Sequence, residues 1–362
     1  MSAEQVAGAQ VVRDEDAFDI AAVDRWLRAN ADGARWGEGL PEVRQFSGGA
    51  SNLTYLLRYP EQDLILRRPP SGTKAKGAHD MGREYRIQAA LAPVFRYVAP
   101  MVALCEDESV IGSEFYVMER VVGHIPRKDL GIDLSADEVR RLCLNVLDLF
   151  VDLHSVDTAA AGLDQLGKGD GYVARQVGGW IARFKKAKTW NVPSWRKVID
   201  WLEANQPSDQ GAVLIHNDFR LDNLVLDEED PTKPIALLDW EMATIGDPLM
   251  DLGSTISYWI EAGDPGLLQK FRMQPTNVPG MLTRREAVDY YCERMGFDLT
   301  AKEWAFYEVF GLFRLAVILQ QIYYRYHHKQ TTNPRFRNFW FASHVLQRRA
   351  RQVMRSASRN SA

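Results

Sequence analysis

The stretch that decides the fold of this chain reads HNDFRLDN and spans residues 216–223. An apolar run at residues 212–215 precedes it, and a second apolar run at residues 224–226 follows it directly. Short apolar runs bounded by polar residues are typical of buried β-strands. We therefore expect a polar loop between two short strands, which deliver its side chains toward one point.

Three polar side chains at strand ends suit phosphoryl transfer. This reaction has a loose transition state, so an enzyme mainly positions the reactants and neutralises charge. One carboxylate must orient the attacking hydroxyl group and accept its proton, and we assign this role to Asp218. An amide oxygen and a second carboxylate can hold Mg²⁺, which prefers oxygen ligands. We assign these roles to Asn223 and to Asp239, which follows an apolar run at residues 235–238.

Three motifs in a fixed order resemble the aminoglycoside phosphotransferase-like family, which includes the choline-kinase type and has a protein-kinase-like fold. They are HNDFRLDN, LLDWE at residues 237–241 and GDPLMDL at residues 246–252. The resemblance covers roughly residues 44–326, and its strength comes from the order of the motifs. It implies that Asp251 braces the backbone of the catalytic loop and that His216 packs beneath it.

The predicted fold class is α+β: a two-lobed protein-kinase-like fold with a small antiparallel-sheet N-lobe and a larger helical C-lobe. We expect a disordered N-terminus at residues 1–16, a nucleotide-binding lobe at 17–121 and a helical lobe with the catalytic loop and acceptor site at 122–355. In the first lobe, apolar periodicity predicts a helix at 79–91 and strands at 43–46, 53–59, 64–67, 98–104 and 115–122. In the second, Ser135 and Glu138 have capping-box spacing, which predicts a helix from there to about His154. Further helices are predicted at 173–187, 195–205, 249–260, 284–295 and 302–326.

A glycine-containing turn, FSGGASNLT at residues 46–54, lies between two predicted strands. Backbone N–H groups at Gly48 and Gly49 can approach phosphate closely, and Ser51 and Asn52 can donate further hydrogen bonds. By itself the segment also fits an ordinary hairpin turn. Its place before the other motifs favours a loop that covers the nucleotide phosphates.

The resemblance implies a cation on the third strand that meets the phosphates of ATP and pairs with a helical glutamate. Arg67 stands where the family commonly has lysine, and Glu84 is the matching acid. Arginine can serve both functions because its guanidinium binds carboxylate or phosphate in a bidentate manner. Whether Arg67 or Arg68 contacts phosphate stays open, and a surface arginine pair is the alternative.

Two further nucleotide contacts and one catalytic cation follow from the resemblance. Backbone groups from Glu119 to Val121 are expected to contact the adenine edge. Arg220 lies two residues after Asp218, where a positive charge would offset charge on the transferred phosphoryl group. The alternative for Arg220 is a structural salt bridge to Asp222.

The composition excludes several functional classes. A net charge of -4 gives no electrostatic basis for nucleic-acid binding, and the basic cluster at residues 348–351 is expected to be a solvated helix face or tail. The three cysteines are far apart, so neither a zinc site nor a disulfide framework is predicted. The N-terminus lacks the order of a signal peptide, and charged residues interrupt the most apolar stretch. We expect a soluble cytoplasmic protein with no membrane partner, and the sequence indicates no oligomeric state.

The expected reaction is transfer of the γ-phosphoryl group of ATP, with Mg²⁺, to a hydroxyl group of a small molecule. The LRRPP run at residues 66–70 and the catalytic motifs resemble the branch of kinase-like domains associated with acyl-CoA dehydrogenases. This branch implies a hydroxy acid or a hydroxyacyl ester as acceptor. The alternatives are an aminoglycoside or other antibiotic kinase, a pseudokinase that binds nucleotide without turnover, and a metal-dependent hydrolase, which would need further His ligands.

Overall fold

The computed structural model describes residues 6, 8–31, 36–46, 52–70 and 80–359. The chain divides into two compact units. The first comprises Met1–Gly123 with Ala236–Glu241, and the second comprises His124–Ile235 with Met242–Ala362. From the sequence we expected all of residues 122–355 to lie in the second domain, so the segment Ala236–Glu241 differs from that expectation.

Local contacts explain why this short segment, which carries Asp239, packs with the first unit. The Leu237 N–H donates a hydrogen bond to the Tyr97 carbonyl at 2.7 Å. The Trp240 ring is fully buried and meets the Phe95 ring edge-on, with centroids 5.9 Å apart. One backbone pairing and one buried aromatic contact therefore tie the segment to residues far earlier in the sequence.

A six-stranded antiparallel sheet forms the body of the first unit. Its strands follow the order β1-β2-β3-β4-β6-β5. Because side chains alternate between faces along a strand, Tyr55 and Leu56 contribute to different apolar clusters. The strands are β1 (Ala9–Gln10), β2 (Glu42–Phe46), β3 (Leu53–Arg58), β4 (Asp63–Arg68), β5 (Met101–Cys105) and β6 (Phe115–Glu119).

Two helices contribute to the faces of this sheet. Helix α1 (Ile20–Asn30) begins at Asp19, whose side chain accepts two backbone N–H groups, and it buries Val23 and Leu27 in one cluster. Helix α2 (Met81–Leu91) begins at Asp80 and buries Met81 in the other cluster. The predicted helix started at residue 79, which lies outside the described residues.

The N-terminal segment contradicts one prediction, because residues 8–16 are folded. Strand β1 pairs with β2, and the Asp16 side chain accepts a hydrogen bond from Gln45 Nε2 at 2.8 Å. The Asp16 carbonyl accepts the Tyr55 hydroxyl at 2.8 Å. The prediction of a disordered N-terminus over residues 1–16 is wrong for this part, because strand pairing and buried hydrogen bonds satisfy its polar groups.

The second unit is mainly helical, as expected. Capping boxes open three of its helices, at Ser135, Thr283 and Thr300, and the first of these confirms the predicted box. The helices are α3 (Ala136–His154), α4 (Tyr172–Ala187), α5 (Arg196–Ala204), α6 (Pro248–Ser257), α7 (Gly266–Gln269), α8 (Arg284–Met295), α9 (Ala301–His327) and α10 (Phe339–Arg359).

Short strands frame the polar loop of the second unit. Strand β7 (Val213–Ile215) pairs antiparallel with β10 (Thr244–Gly246), and β8 (Leu224–Leu226) pairs with β9 (Pro234–Leu237). Strand β10 was not predicted, because three residues ending in glycine carry no clear strand pattern. A Cβ atom added at Gly246 would lie 2.5 Å from the Ile215 side chain and 2.8 Å from the Tyr172 ring, so a larger residue would displace these neighbours.

Helices α6 and α9 pack backbone to backbone in the core of the second unit. A Cβ atom added at Gly311 would lie 2.1 Å from the Gly253 carbonyl oxygen. By length and composition α9 is the one described helix that could cross a membrane, but 72% of its most apolar 18-residue window is buried in the protein. It therefore fits a core helix of this unit.

Helix α10 corrects the interpretation of the C-terminal basic cluster. The sequence suggested a solvated face or tail at residues 348–351, and Arg348 is indeed exposed. Arg349, however, is 8% exposed and lies 3.4 Å from Glu308 of α9. An amphipathic helix buries every third or fourth side chain, so one arginine of the run turns inward.

Candidate active site

The loop at residues 216–223 begins where β7 ends and closes with a 3-10 turn, Leu221–Asn223, before β8. Asn217 has a φ of +65°, in the left-handed region that residues other than glycine adopt rarely. Such a conformation persists only where the surrounding structure holds the backbone. Contacts from elsewhere in the second unit therefore impose the shape of this loop.

Asp251 on α6 supplies the main contacts to the loop backbone. Its side chain is fully buried and accepts the His216 N–H at 2.8 Å and the Asn217 N–H at 2.9 Å. From α9, Arg314 Nη2 donates to the Asn217 carbonyl at 2.7 Å. The backbone N–H and the backbone carbonyl of Asn217 are thus both bound by buried charged side chains.

A buried histidine that the sequence analysis missed supports Asp251. His154 Nδ1 lies 2.6 Å from the Tyr291 hydroxyl, and Nε2 lies 3.3 Å from Asp251 Oδ2. A carboxylate only accepts, so Nε2 donates to Asp251, while Nδ1 shares a hydrogen bond with the tyrosine hydroxyl. A chain of hydrogen bonds therefore links Tyr291, His154 and Asp251. A histidine closing the apolar face of a capped helix was the available signal.

Asp218 and Asn223 are joined directly. Asn223 Nδ2 donates to the Asp218 carbonyl at 2.9 Å and to the Asp218 carboxylate at 3.1 Å. These bonds use the amide nitrogen, so the amide oxygen is left to act as an acceptor or ligand. The Asp218 side chain remains 26% exposed, and the loop thus presents a fixed carboxylate with one accessible side.

Arg220 forms the ion pair that was one of its two predicted alternatives. Its Nε and Nη2 atoms lie 2.9 and 2.7 Å from the two carboxylate oxygens of Asp222, and the guanidinium lies 5.0 Å from the Tyr258 ring centre. Nη1 is 3.7 Å from Asp218. Burial opposes the charge on Arg220, but Asp218 and Asp222 outweigh it and raise the pKa of Arg220. Contact with a phosphoryl group stays a prediction.

In the first unit, Arg67 joins two of the predicted site residues. Its Nη1 lies 2.7 Å from Glu84 Oε1 and its Nη2 lies 3.0 Å from Asp239 Oδ1. The Tyr116 hydroxyl donates to Glu84 Oε1 at 2.8 Å. Burial raises the pKa of Glu84, although Arg67 favours its ionised form. The expected pair of Arg67 with Glu84 is present, and its role toward phosphate stays a prediction.

The backbone of Asp239 and the partners of the neighbouring Arg68 show how the contacts of Arg67 are arranged. Asp239 has a φ of +68°, a left-handed conformation like that of Asn217. Arg68 points to different partners, because it donates to the Tyr55 hydroxyl and to the Asp16 carbonyl. Of the two neighbouring arginines, Arg67 therefore contacts the predicted site residues.

The remaining predicted nucleotide contacts are only partly described. Gly48, Gly49 and Ser51 lie outside the described residues. Asn52 is 3% exposed, and its Nδ2 lies 3.3 Å from Glu241.

The predicted adenine-contacting segment follows β6. The Glu119 N–H donates to the Pro100 carbonyl at 2.8 Å, and the Arg120 N–H donates to the Asp63 carbonyl at 3.1 Å. Val121 is partly buried beside the cluster of α2. The predicted contacts of Glu119 and Val121 with adenine stay predictions.

Comparison with a sequence model of the phosphotransferase enzyme family gives a match over residues 42–286. Acyl-CoA dehydrogenase family member 10 of Mus musculus is 39% identical over 290 residues, which are 79% of this chain and 27% of that protein. Acyl-CoA dehydrogenase family member 11 of Homo sapiens is 34% identical over 313 residues, 85% of this chain and 40% of that protein. The chain spans less than half the length of these relatives.

Solved structures show the same fold. A Ralstonia eutropha protein, provisionally named an aminoglycoside phosphotransferase, is 30% identical with a TM-score of 0.79, covering 94% of this chain and 99% of that one. Choline kinase of Cryptosporidium parvum has a TM-score of 0.64 at 13% identity, covering 95% of this chain and 97% of that one, which shows the fold alone. The predicted α+β, protein-kinase-like fold is confirmed.

Proposed function

The chain belongs to the phosphotransferase enzyme family, and from this premise we propose that it transfers the γ-phosphoryl group of ATP to a hydroxyl group of a small molecule. The observation that carries the proposal is the state of Asp218, whose carboxylate is accessible although the loop around it is held by buried charges. A general base must be both positioned and reachable, and this residue meets both conditions. Phosphoryl transfer relies on such positioning more than on covalent chemistry.

Asp218 is the proposed base. Its carboxylate accepts a hydrogen bond from Asn223 on one side, which fixes the rotamer, and leaves the other side for an acceptor hydroxyl. Arg220, 3.7 Å away, is proposed to offset negative charge on the transferred phosphoryl group. Its contact with Asp222 holds the guanidinium ready for this role.

Asn223 and Asp239 are the proposed magnesium ligands. Within the described ranges no group of three or more His, Cys, Asp or Glu side chains could hold a metal ion. Mg²⁺ commonly takes only one or two protein oxygens and completes its coordination with water and phosphate oxygens. The amide oxygen of Asn223 and the Asp239 carboxylate, whose side chain is 36% exposed, can each supply one such oxygen. Bound Mg²⁺ would neutralise charge on the phosphates.

Arg67 is the proposed phosphate contact. Its Nε is buried and has no hydrogen-bond partner among the described residues, so two carboxylates do not satisfy the guanidinium fully. The buried pair with Glu84 fixes its position, and the glycine turn at residues 48–52 is proposed to cover the phosphates. Glu119 and Val121 are the proposed backbone contacts to adenine.

The acceptor is proposed to be a hydroxy acid or a hydroxyacyl ester. Support comes from the names of the relatives, in which a domain like this chain belongs to a protein called an acyl-CoA dehydrogenase family member. A kinase joined to such an enzyme would act on a molecule of the same chemical class. The provisional name of the Ralstonia eutropha protein supports the alternative, an aminoglycoside kinase.

A turnover assay tests the reaction and the acceptor together. Purified protein with Mg-ATP would be offered hydroxyacyl-CoAs, free hydroxy acids and aminoglycosides, and the phosphorylated product would be identified by mass spectrometry. We expect turnover with a hydroxyacyl compound and a loss of about 100-fold or more in kcat for Asp218→Asn. Turnover of aminoglycosides alone would overturn the acceptor class. Nucleotide binding without turnover of any acceptor would favour a nucleotide sensor.

A further inference from the structure

The C-terminal part of the chain has a charge pattern unlike the rest. Residues 309–362 contain ten Lys or Arg residues and no Asp or Glu, although the whole chain has a net charge of -4. In the last turn of α9 and in the segment that leads to α10, Arg325, Lys329, Arg335 and Arg337 are exposed. None of these four forms an ion pair with a residue in the described ranges. Their charge is therefore available to an external partner.

A second group of exposed cations lies at the end of α4. Lys185, Lys186 and Lys188 are exposed and likewise lack an ion pair within the part of the chain that the structure describes. Trp190 follows them and is 86% exposed. Removing apolar surface from water is favourable, so a partner that buries this indole would gain binding free energy.

Hydrogen bonds bring these two groups of cations to the same end of the second unit. Gln320 Nε2 of α9 donates to the Ala187 carbonyl at 2.8 Å. Asn191 Nδ2 donates to the Tyr323 hydroxyl at 2.8 Å, and His344 Nε2 of α10 lies 3.1 Å from the Asn191 carbonyl. The residues beside Trp190 are thus anchored to the end of α9 and to the start of α10.

We propose that this basic end of the second unit, made of Trp190 with the cations at 185–188 and 325–337, binds the surface of an anionic lipid bilayer. Tryptophan is favoured at the level of the lipid headgroups, where its ring is buried and its N–H stays hydrated. Lysine and arginine beside it are attracted to anionic headgroups. Peripheral binding grows stronger with the apolar surface buried in the headgroup region and with electrostatic attraction to anionic lipids.

The exposed indole favours a bilayer over a nucleic acid. Binding to a phosphate backbone uses charge alone and leaves Trp190 without a role unless a base is unstacked onto it. A bilayer uses both features, because it takes up the ring and attracts the surrounding cations. The expectation of no membrane partner rested on the lack of a spanning segment, and surface binding needs none.

Vesicle sedimentation with the full chain tests this proposal. We expect binding to phosphatidylcholine vesicles that contain phosphatidylglycerol, no binding to pure phosphatidylcholine, and release at high salt because screening weakens the attraction. Trp190→Ala and the triple variant Lys185→Gln, Lys186→Gln, Lys188→Gln should each weaken binding about tenfold or more. Trp190→Phe should retain part of the binding.

The matched control is Lys302→Gln, an exposed lysine at the opposite end of α9. It should bind vesicles like the unchanged protein. Because every altered residue is exposed, thermal unfolding should also be unchanged, which separates lost binding from misfolding. No binding to anionic vesicles at low salt, or equal binding by all variants, would overturn the proposal. Tighter binding to duplex RNA than to vesicles would overturn it as well.

Discussion

The Asp251 carboxylate accepts the backbone N–H of His216 at 2.8 Å, across 35 positions of sequence. The same carboxylate accepts the N–H of Asn217, whose backbone is left-handed. Helix α6 therefore holds the loop that contains Asp218 in a conformation that the loop would not adopt alone. Stability and activity should both depend on this one side chain.

The substitution Asp251→Asn should remove one of the two contacts with the loop backbone and keep the other. The asparagine amide keeps one acceptor oxygen and replaces the other with a donor, so a buried N–H of the loop loses its partner. We expect the free energy of unfolding to fall by about 1–3 kcal/mol and kcat to fall by about tenfold or more, since small displacements of positioned groups slow a reaction. Urea unfolding and steady-state kinetics measure the two effects. Asp289→Asn, which changes an exposed acid on α8, is the control. An unchanged kcat in Asp251→Asn would show that Asp251 does not position the catalytic loop.

Substitutions of Arg67 should distinguish its structural from its functional role. Arg67→Met leaves Glu84 buried without a cation, and we expect a loss of about 3–5 kcal/mol in the free energy of unfolding. The double variant Arg67→Met, Glu84→Gln removes both charges and should regain most of this stability. Its nucleotide affinity, followed by calorimetry, should stay low, because the phosphate contact is still missing. Full recovery of nucleotide binding would show that Arg67 acts only in folding.

Acid should remove a stabilising contribution from Asp63. Burial of Asp63 opposes its ionisation, but hydrogen bonds from Arg58 and Arg120 outweigh it and lower its pKa below the ordinary 3.8. A lowered folded pKa gives stability that is present above the unfolded pKa and lost as pH falls through the folded pKa. The difference in unfolding free energy between the unchanged protein and Asp63→Asn should therefore shrink as pH falls from about 5 to about 2.

Urea titrations at several pH values measure this dependence. Glu61→Gln, an exposed residue in the same hairpin, serves as the control and should follow the unchanged protein at every pH. If the difference in unfolding free energy between Asp63→Asn and the unchanged protein stays constant from neutral to acid pH, the ion pairs with Arg58 and Arg120 do not contribute to stability.

Gly311→Ala should destabilise the second unit, although alanine normally favours a helix. The added Cβ would lie 2.1 Å from the Gly253 carbonyl oxygen, so α6 and α9 must separate. Overpacking of this kind lowers the free energy of unfolding by about 1–3 kcal/mol. Gly178→Ala on α4 meets no atom within 4 Å and should stabilise by up to about 1 kcal/mol. The change in thermal unfolding temperature of each variant measures these effects. Equal changes in the two variants would contradict the close packing of α6 against α9.

Local signals allowed much of the fold to be predicted. The capping box at Ser135 and the apolar period of α8, predicted at residues 284–295 and observed at Arg284–Met295, depend on neighbours within a few positions. One local signal was overlooked. The strand predicted at residues 98–104 begins only at Met101, directly after Pro100, which lacks the N–H that a sheet ladder requires.

The order of HNDFRLDN, LLDWE and GDPLMDL was enough to predict the family and the α+β fold, because each motif consists of residues close together in sequence. The family resemblance already implied that Asp251 braces the loop backbone. Only the tertiary structure decided that the ring of His154, 97 positions away, meets the same carboxylate. It also decided that Asp239 packs with the first unit and that Arg67 rather than Arg68 meets it. Periodicity and capping are local properties of a chain, whereas such partners depend on how its elements pack.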